Sequence, residues 1–155
     1  MLPLLSAIFL FISLLVTRGT AQRADIGAPK PDTLVCPGSS LLVEVDRPNS
    51  LTNSDEIAIV IGGYSCSSFT QGCSHFPPTA LVGQIFYSGP FTPAYSRDAW
   101  FLPPHQNFTV TIPETMRKGP MQLNLVHFSL VGATASPLFE GQNITLRVGE
   151  KSECV

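Results

Sequence analysis

The chain has 155 residues, a length that suits one domain with a single core. Because 44% of the residues are hydrophobic and only 13% are charged, the composition argues against intrinsic disorder. Nine basic residues stand against 11 acidic ones, and the net charge of −2 disfavours a role in binding nucleic acid or an anionic membrane surface.

The chain begins with an apolar segment. Residues 2–16 are almost wholly apolar, and a run of small residues ends at Ala21. This pattern is typical of a secretory signal peptide, and the apolar run is shorter than the roughly 20 residues of a membrane-spanning helix. We therefore predict a secreted, extracellular protein with no membrane association after cleavage. Its parts are a signal peptide at 1–21, a loose lead-in at 22–32 and one domain at 33–155.

Alternation with period two, together with short apolar runs, predicts an all-β fold. Strands are expected at LLVEVD (41–46), DEIAIVIGG (55–63), LVGQIFYSG (81–89), NFTVTIP (107–113), MQLNLVHFSLVG (121–132) and NITLRV (143–148). The 14 prolines are spread through the connections. About seven short strands separated by Gly and Pro predict an antiparallel β-sandwich of the immunoglobulin-like type, with a barrel as the alternative.

The longest predicted strand changes character along its length. Gln122 and Asn124 belong to the set that should face solvent, yet positions 126, 128 and 130 continue that set with apolar residues. A bulge or a change of partner sheet near Leu125 would explain the change.

Four cysteines in a secreted chain indicate disulfides, and three pairings are possible. Cys66 and Cys73 lie close together in a loop, whereas Cys36 precedes the first clear strand and Cys154 follows the last. We favour Cys66–Cys73 with Cys36–Cys154, because the terminal strands of a sandwich can lie side by side.

Metal binding is disfavoured. His75 follows Cys73, but this single loose pair lacks the two tight ligand pairs of a structural zinc site. His75, His105 and His127 could supply histidine ligands, but no late cysteine is closely followed by a histidine or methionine, as a blue-copper site would require. We therefore predict neither a metal nor another cofactor.

Two glycan acceptor motifs are present, at Asn107-Phe108-Thr109 and Asn143-Ile144-Thr145. In both predicted strands, the alternation buries the apolar set and turns the asparagine outward. We predict N-glycosylation at both sites.

A long connection between predicted strands, residues 88–106, contains four aromatic residues: Phe91, Tyr95, Trp100 and Phe101. They could cap one end of the sandwich or form a recognition surface, and we favour the cap. If the chain has a binding surface, Phe91, Tyr95 and Trp100 are its candidate residues.

No catalytic motif is evident, since the chain has no G-x-S-x-G nucleophile elbow. His127 is expected to be a hydrogen-bonded core residue and His105 to lie in an exposed loop. Most carboxylates fall at turns or at outward strand positions, although they could still converge in space. These carboxylates are Glu44, Asp46, Asp55, Glu56, Asp98, Glu114 and Glu140.

Three motifs carry a family resemblance: LVGQIFYSGPFTPAY, HQNFTVTIP and GPMQLNLVHFSLVGA, in this order. Together they resemble small secreted β-sandwich proteins of mushroom-forming (basidiomycete) fungi. The resemblance implies a secreted sandwich without an assigned activity, acting at a fungal wall or in contact with a host. We predict a non-catalytic module that binds cell-wall polysaccharide or an extracellular host protein. The alternative is a secreted enzyme acting on polysaccharide.

Overall fold

Eight β-strands form two facing sheets in the computed structural model, which describes residues 23–154. The signal peptide predicted at 1–21 lies outside the described residues. In chain order the strands are β1 (Asp25–Ala28), β2 (Leu34–Val35), β3 (Ser40–Asp46), β4 (Ser54–Ser65), β5 (Gln84–Gly89), β6 (His105–Thr111), β7 (Gly119–Val131) and β8 (Ser136–Val148). The smaller sheet has the order β1-β3-β6 and the larger β2-β8-β7-β4-β5. All pairs are antiparallel except β2 with β8.

Alternating apolar residues build the core between the sheets. On β3, Leu41, Val43 and Val45 are buried and lie opposite Phe108 and Val110 of β6 in an unbroken antiparallel register. The larger sheet contributes a matching set: Ile59, Ile61, Met121, Leu123, Leu125, Leu146 and Val148. Each such side chain stabilises the fold by about 1.5 to 3 kcal/mol. The predicted antiparallel sandwich of the immunoglobulin-like type is confirmed.

The N-terminal part of the domain is more ordered than the sequence indicated. Residues 25–28, assigned to a loose lead-in, form the edge strand β1 against β3. Residues 34 and 35 form β2, which pairs with β8. Added to the six strands predicted at specific positions, these two short strands bring the count to eight, one more than the expected total of about seven.

The prediction that Gln122 and Asn124 face solvent is wrong. Both are fully buried, because the segment 76–82 folds over the outer face of the larger sheet. The Gln122 amide donates to the Phe76 carbonyl at 3.2 Å, and the Asn124 amide donates to the Val82 carbonyl at 3.1 Å. β7 therefore runs straight past Leu125, and no change of partner occurs there. Because residues 81 and 82 belong to this covering segment, the strand predicted at 81–89 begins only at Gln84.

Both favoured disulfides are present. Cys66 and Cys73 join the ends of a short loop, with Cα atoms 5.0 Å apart. Cys36 and Cys154 lie 118 positions apart in sequence and 5.8 Å apart between Cα atoms. The parallel pairing of β2 with β8 brings them together. The described residues 23–154 also contain two short 3-10 helices, Cys73–His75 and Lys151–Glu153, and no helix among them has the length and apolar character needed to span a bilayer.

Candidate functional site

A β-bulge at Ile57 turns Glu56 toward the interior of the sandwich. The register between β4 and β7 shifts between Glu56 and Ala58, so that Glu56 lies opposite Ser129 on the core side of the sheet. Ile57 is left 41% exposed. Regular alternation along β4 would have produced the opposite orientation, with Ile57 inside and Glu56 in solvent. Bulges commonly redirect a side chain in this way.

The redirected carboxylate joins a buried network centred on His127, which is 1% exposed. His127 Nε2 lies 2.5 Å from Glu56 Oε2, and Nδ1 lies 2.9 Å from Glu140 Oε1. Glu56 Oε1 also accepts hydrogen bonds from Arg47 Nε at 2.8 Å and from the Ser54 hydroxyl at 2.5 Å. An ionised carboxylate can only accept, so with Glu56 and Glu140 both ionised the two ring nitrogens of His127 donate and the ring is an imidazolium.

The pKa values fit this charge assignment. Burial raises the pKa of Glu56, but hydrogen bonds from His127, Ser54 and Arg47 outweigh it and lower the pKa from 4.5 to about 2. Burial lowers the pKa of His127, but hydrogen bonds to Glu140 and Glu56, together with their charges, outweigh it and raise the pKa above 6.5. When His127 is protonated, two cations thus face two anions, and the network carries no net charge.

Two further contacts close this network from outside. The Phe91 ring meets the His127 ring edge to face, at 5.6 Å between centroids. The backbone N–H of Ala24 donates to Glu140 Oε1 at 2.8 Å. Glu56 has both oxygens engaged, and a carboxylate with so low a pKa is a weak base. The network therefore provides charge compensation in the core, and proton transfer to a ligand is not what this geometry favours.

Glu56 and Glu140 are exceptions to the expectation that most carboxylates lie at turns or at outward strand positions, and they converge on His127. For Glu140 a signal existed, because the inward set of β8 continues back from Leu146 and Ile144 to position 140, which lies opposite His127. For Glu56 no signal existed, since the bulge reverses the alternation. His127 is a hydrogen-bonded core residue, as predicted.

The same end of the sandwich presents apolar side chains to solvent. The connection 90–104 joins β5 to β6, and the loop 47–53 joins β3 to β4. Tyr95 is 62% exposed and Trp100 80% exposed, while Phe101 and Leu51 are also exposed. Only Phe91 is buried, at 1%. The favoured interpretation of these aromatics as a core cap therefore holds for Phe91 alone, and Phe91 is not available to a ligand.

A pocket of about 330 Å³ lies between these two segments. We call it the end pocket. Arg47 and Glu56 line its base, and Pro93 and Pro104 contribute from the 90–104 connection. The remaining lining belongs to the loop and the start of β4: Pro48, Asn49, Ser50, Thr52, Asn53 and Ser54.

The other predicted site residues are scattered. Asn107 and Asn143 are both exposed, on β6 and β8. His75 is exposed beside the Cys66–Cys73 loop. His105 is not in an exposed loop, because it is the half-buried first residue of β6, with Nδ1 2.9 Å from the Pro103 carbonyl. Among residues 23–154, no group of three His, Cys, Asp or Glu side chains is placed to hold a metal ion.

Several solved structures are similar to this chain at low identity. A superoxide reductase (neelaredoxin) from Ignicoccus hospitalis has a TM-score of 0.49 at 12% identity, over 83% of this chain and 81% of that one. A cellulose-active polysaccharide monooxygenase from M. thermophila has a TM-score of 0.48 at 13% identity, over 78% and 55%. A chitin binding domain from Burkholderia pseudomallei has a TM-score of 0.45 at 17% identity, over 76% and 57%. Similarity this low says nothing about activity.

Sequence comparison is more specific. The profile of the Nis1 family matches residues 19–147, which is most of the chain. Among curated proteins, no sequence matches.

Proposed function

This chain belongs to the Nis1 family, and we propose that it is a secreted, non-catalytic glycoprotein that binds an extracellular partner through the apolar end of its sandwich. The observation that carries the proposal is the exposure of Leu51, Tyr95, Trp100 and Phe101 on two neighbouring segments at that end. Two disulfides support an oxidising, extracellular setting. We also propose that the chain is related to the small secreted proteins of mushroom-forming fungi.

Several exposed apolar side chains at one end of the sandwich need an explanation, whereas a single exposed apolar residue does not. Scattered apolar side chains are normal on a protein surface, but contiguous ones mark interaction sites. Tyr and Trp are the side chains that contribute most at such sites. Arg97 and Asp98, adjacent in sequence and opposite in sign, are the only exposed charges in segments 47–53 and 90–104. A neutral polysaccharide of the cell wall fits this surface best, and an extracellular host protein is the other partner that we propose.

Replacing Trp100 with alanine is expected to abolish most binding to insoluble β-glucan or chitin while changing the free energy of unfolding by about 0.5 kcal/mol or less. The reason is the high exposure of the side chain, which leaves little packing to lose. Co-sedimentation with the polysaccharide and thermal melting on the same sample measure both effects. Phe139→Ala is the matched control, because Phe139 is 61% exposed on β8 and belongs to neither segment, so its removal should leave binding unchanged.

Equal loss of binding in both variants would mean non-specific adsorption and would contradict the proposal. Release of soluble sugars by the wild-type protein would support the enzyme alternative instead, and Asp98 would be the first carboxylate to test. If the wild-type protein binds no polysaccharide, the partner to test next is an extracellular protein.

The glycans form the last part of the proposal. Asn107 and Asn143 are exposed, so both acceptor nitrogens are open to modification in a eukaryotic secretory pathway. Endoglycosidase treatment should lower the apparent mass in two steps, and Asn107→Gln and Asn143→Gln should each remove one step. A protein whose mass is unchanged by the enzyme would be unmodified at both sites.

A further inference from the structure

The end pocket is small and its base is fixed. Its volume of about 330 Å³ is at the lower end of the roughly 300 to 1,000 Å³ typical of small-molecule sites. The Arg47 guanidinium donates to Glu56 at 2.8 Å, to the Ser54 hydroxyl at 2.7 Å and to the Pro48 carbonyl at 3.1 Å. Glu56 is in turn bonded to His127. Both charges at the base are therefore compensated before any ligand arrives, so the pocket favours a neutral molecule.

The rim of the pocket offers polar groups that are not engaged. In the described part of the chain, the Asn53 side-chain amide and the Thr52 hydroxyl make no hydrogen bond, and neither does Asn49 Oδ1. All three residues are exposed at this rim. Together they provide neutral donors and acceptors, which is what the hydroxyl groups of a sugar require.

Apolar groups complete the surroundings. Pro93 and Pro104 provide apolar walls. Asn49 Nδ2 donates to the Tyr95 hydroxyl at 2.5 Å, which holds this aromatic side chain beside the pocket. A sugar ring has hydroxyl groups at its edge and C–H groups on its faces, so it needs polar partners and apolar walls together. The end pocket supplies both.

We propose that the end pocket binds one or two sugar rings of a neutral glycan. This inference rests on the proposed function and deepens it, because it assigns recognition of individual sugars to Asn53 and Thr52. Trp100 and its exposed neighbours would then provide the flat contact with an insoluble surface.

The test uses soluble neutral oligosaccharides with two to six β-linked glucose or N-acetylglucosamine units. We expect one of these series to bind the wild-type protein in isothermal titration calorimetry, with affinity that stops rising beyond two or three units. Asn53→Ala and Thr52→Ala should each weaken this binding by about tenfold. The control is Thr134→Ala, an exposed threonine in the loop between β7 and β8 that does not line the pocket and should leave affinity unchanged.

The outcomes separate this inference from the function on which it rests. If oligosaccharides bind Asn53→Ala and Thr52→Ala as tightly as the wild-type protein, the pocket assignment is wrong. If no oligosaccharide binds but Trp100-dependent binding to insoluble polysaccharide persists, the pocket assignment also fails and the proposed function stands. If neither soluble nor insoluble sugar binds, both fail for polysaccharide partners.

Discussion

Replacing His127 with alanine is expected to lower the free energy of unfolding by about 3 to 5 kcal/mol, because it leaves the Glu56 and Glu140 carboxylates in the core without their shared cation. The melting temperature should fall by on the order of 10 to 20 °C near pH 6. Chemical denaturation and thermal melting followed by circular dichroism measure the loss. His75→Ala is the control, because His75 is exposed and its removal should cost about 0.5 kcal/mol or less.

The pH dependence distinguishes loss of this network from loss of packing alone. The pKa of His127 is raised above 6.5 in the folded protein, so its stabilising contribution is complete below pH 6.5 and is lost as the pH rises through the folded value. The pKa of Glu56 is lowered from 4.5 to about 2, so its contribution is complete above pH 4.5 and is lost as the pH falls toward 2. The wild-type protein should be most stable between about pH 4.5 and 6.5.

In His127→Ala, the fall in the free energy of unfolding above pH 6.5 should disappear, and the fall below pH 4.5 should become shallower. The acid decline persists in part because Arg47 and Ser54 still bind Glu56. Parallel pH profiles for the variant and the wild-type protein would show that His127 acts only by filling space.

Removing the long-range disulfide is the second change with a large expected effect. In Cys36→Ser with Cys154→Ser, the unfolded chain regains the freedom of a loop spanning 118 positions, which should cost about 4 to 5 kcal/mol of stability. Unfolding in denaturant measures this cost. The shorter bond spans only seven positions, so Cys66→Ser with Cys73→Ser should cost about 2 to 3 kcal/mol.

Two results would contradict this ranking. If removing the short bond costs more, the bond holds the cover segment 76–82 on the sheet rather than acting through chain entropy. If removing the long bond costs nothing, the β2–β8 pairing already keeps Cys36 and Cys154 together in the unfolded ensemble.

The fold could be predicted well wherever the alternation of a strand agreed with its burial. β3 illustrates this, because Leu41, Val43 and Val45 face the core and every residue of the strand pairs with β6 without a shift. Prediction failed at Gln122 and Asn124, because a segment distant in sequence covers the outer face of the sheet and supplies their hydrogen-bond partners. Such cover depends on tertiary contacts that a local pattern does not contain.

The site was less predictable than the fold for the same reason. The inward orientation of Glu56 depends on one bulged residue, Ile57. The sequence around Ile57 resembles that of a regular strand and does not reveal the bulge. The aromatic residues of the 90–104 connection divided in a way that composition does not reveal. Phe91 packs against His127, whereas Trp100 is exposed to solvent. Composition located the right segment, but geometry decided which of its side chains can reach a ligand.

The pairing of early with late residues also constrains the order in which the chain can mature during synthesis. Cys36 finds Cys154 only after 118 further positions have been made, and at roughly 5 to 20 residues per second this takes on the order of ten seconds. Cys66 and Cys73 emerge during that interval, and either could oxidise with Cys36. Because a short loop closes more readily than a longer one, we expect Cys66 and Cys73 to pair with each other first. Early closure of the short disulfide would leave Cys36 as a free thiol until Cys154 is available and would disfavour the pairing of Cys36 with Cys66 or Cys73.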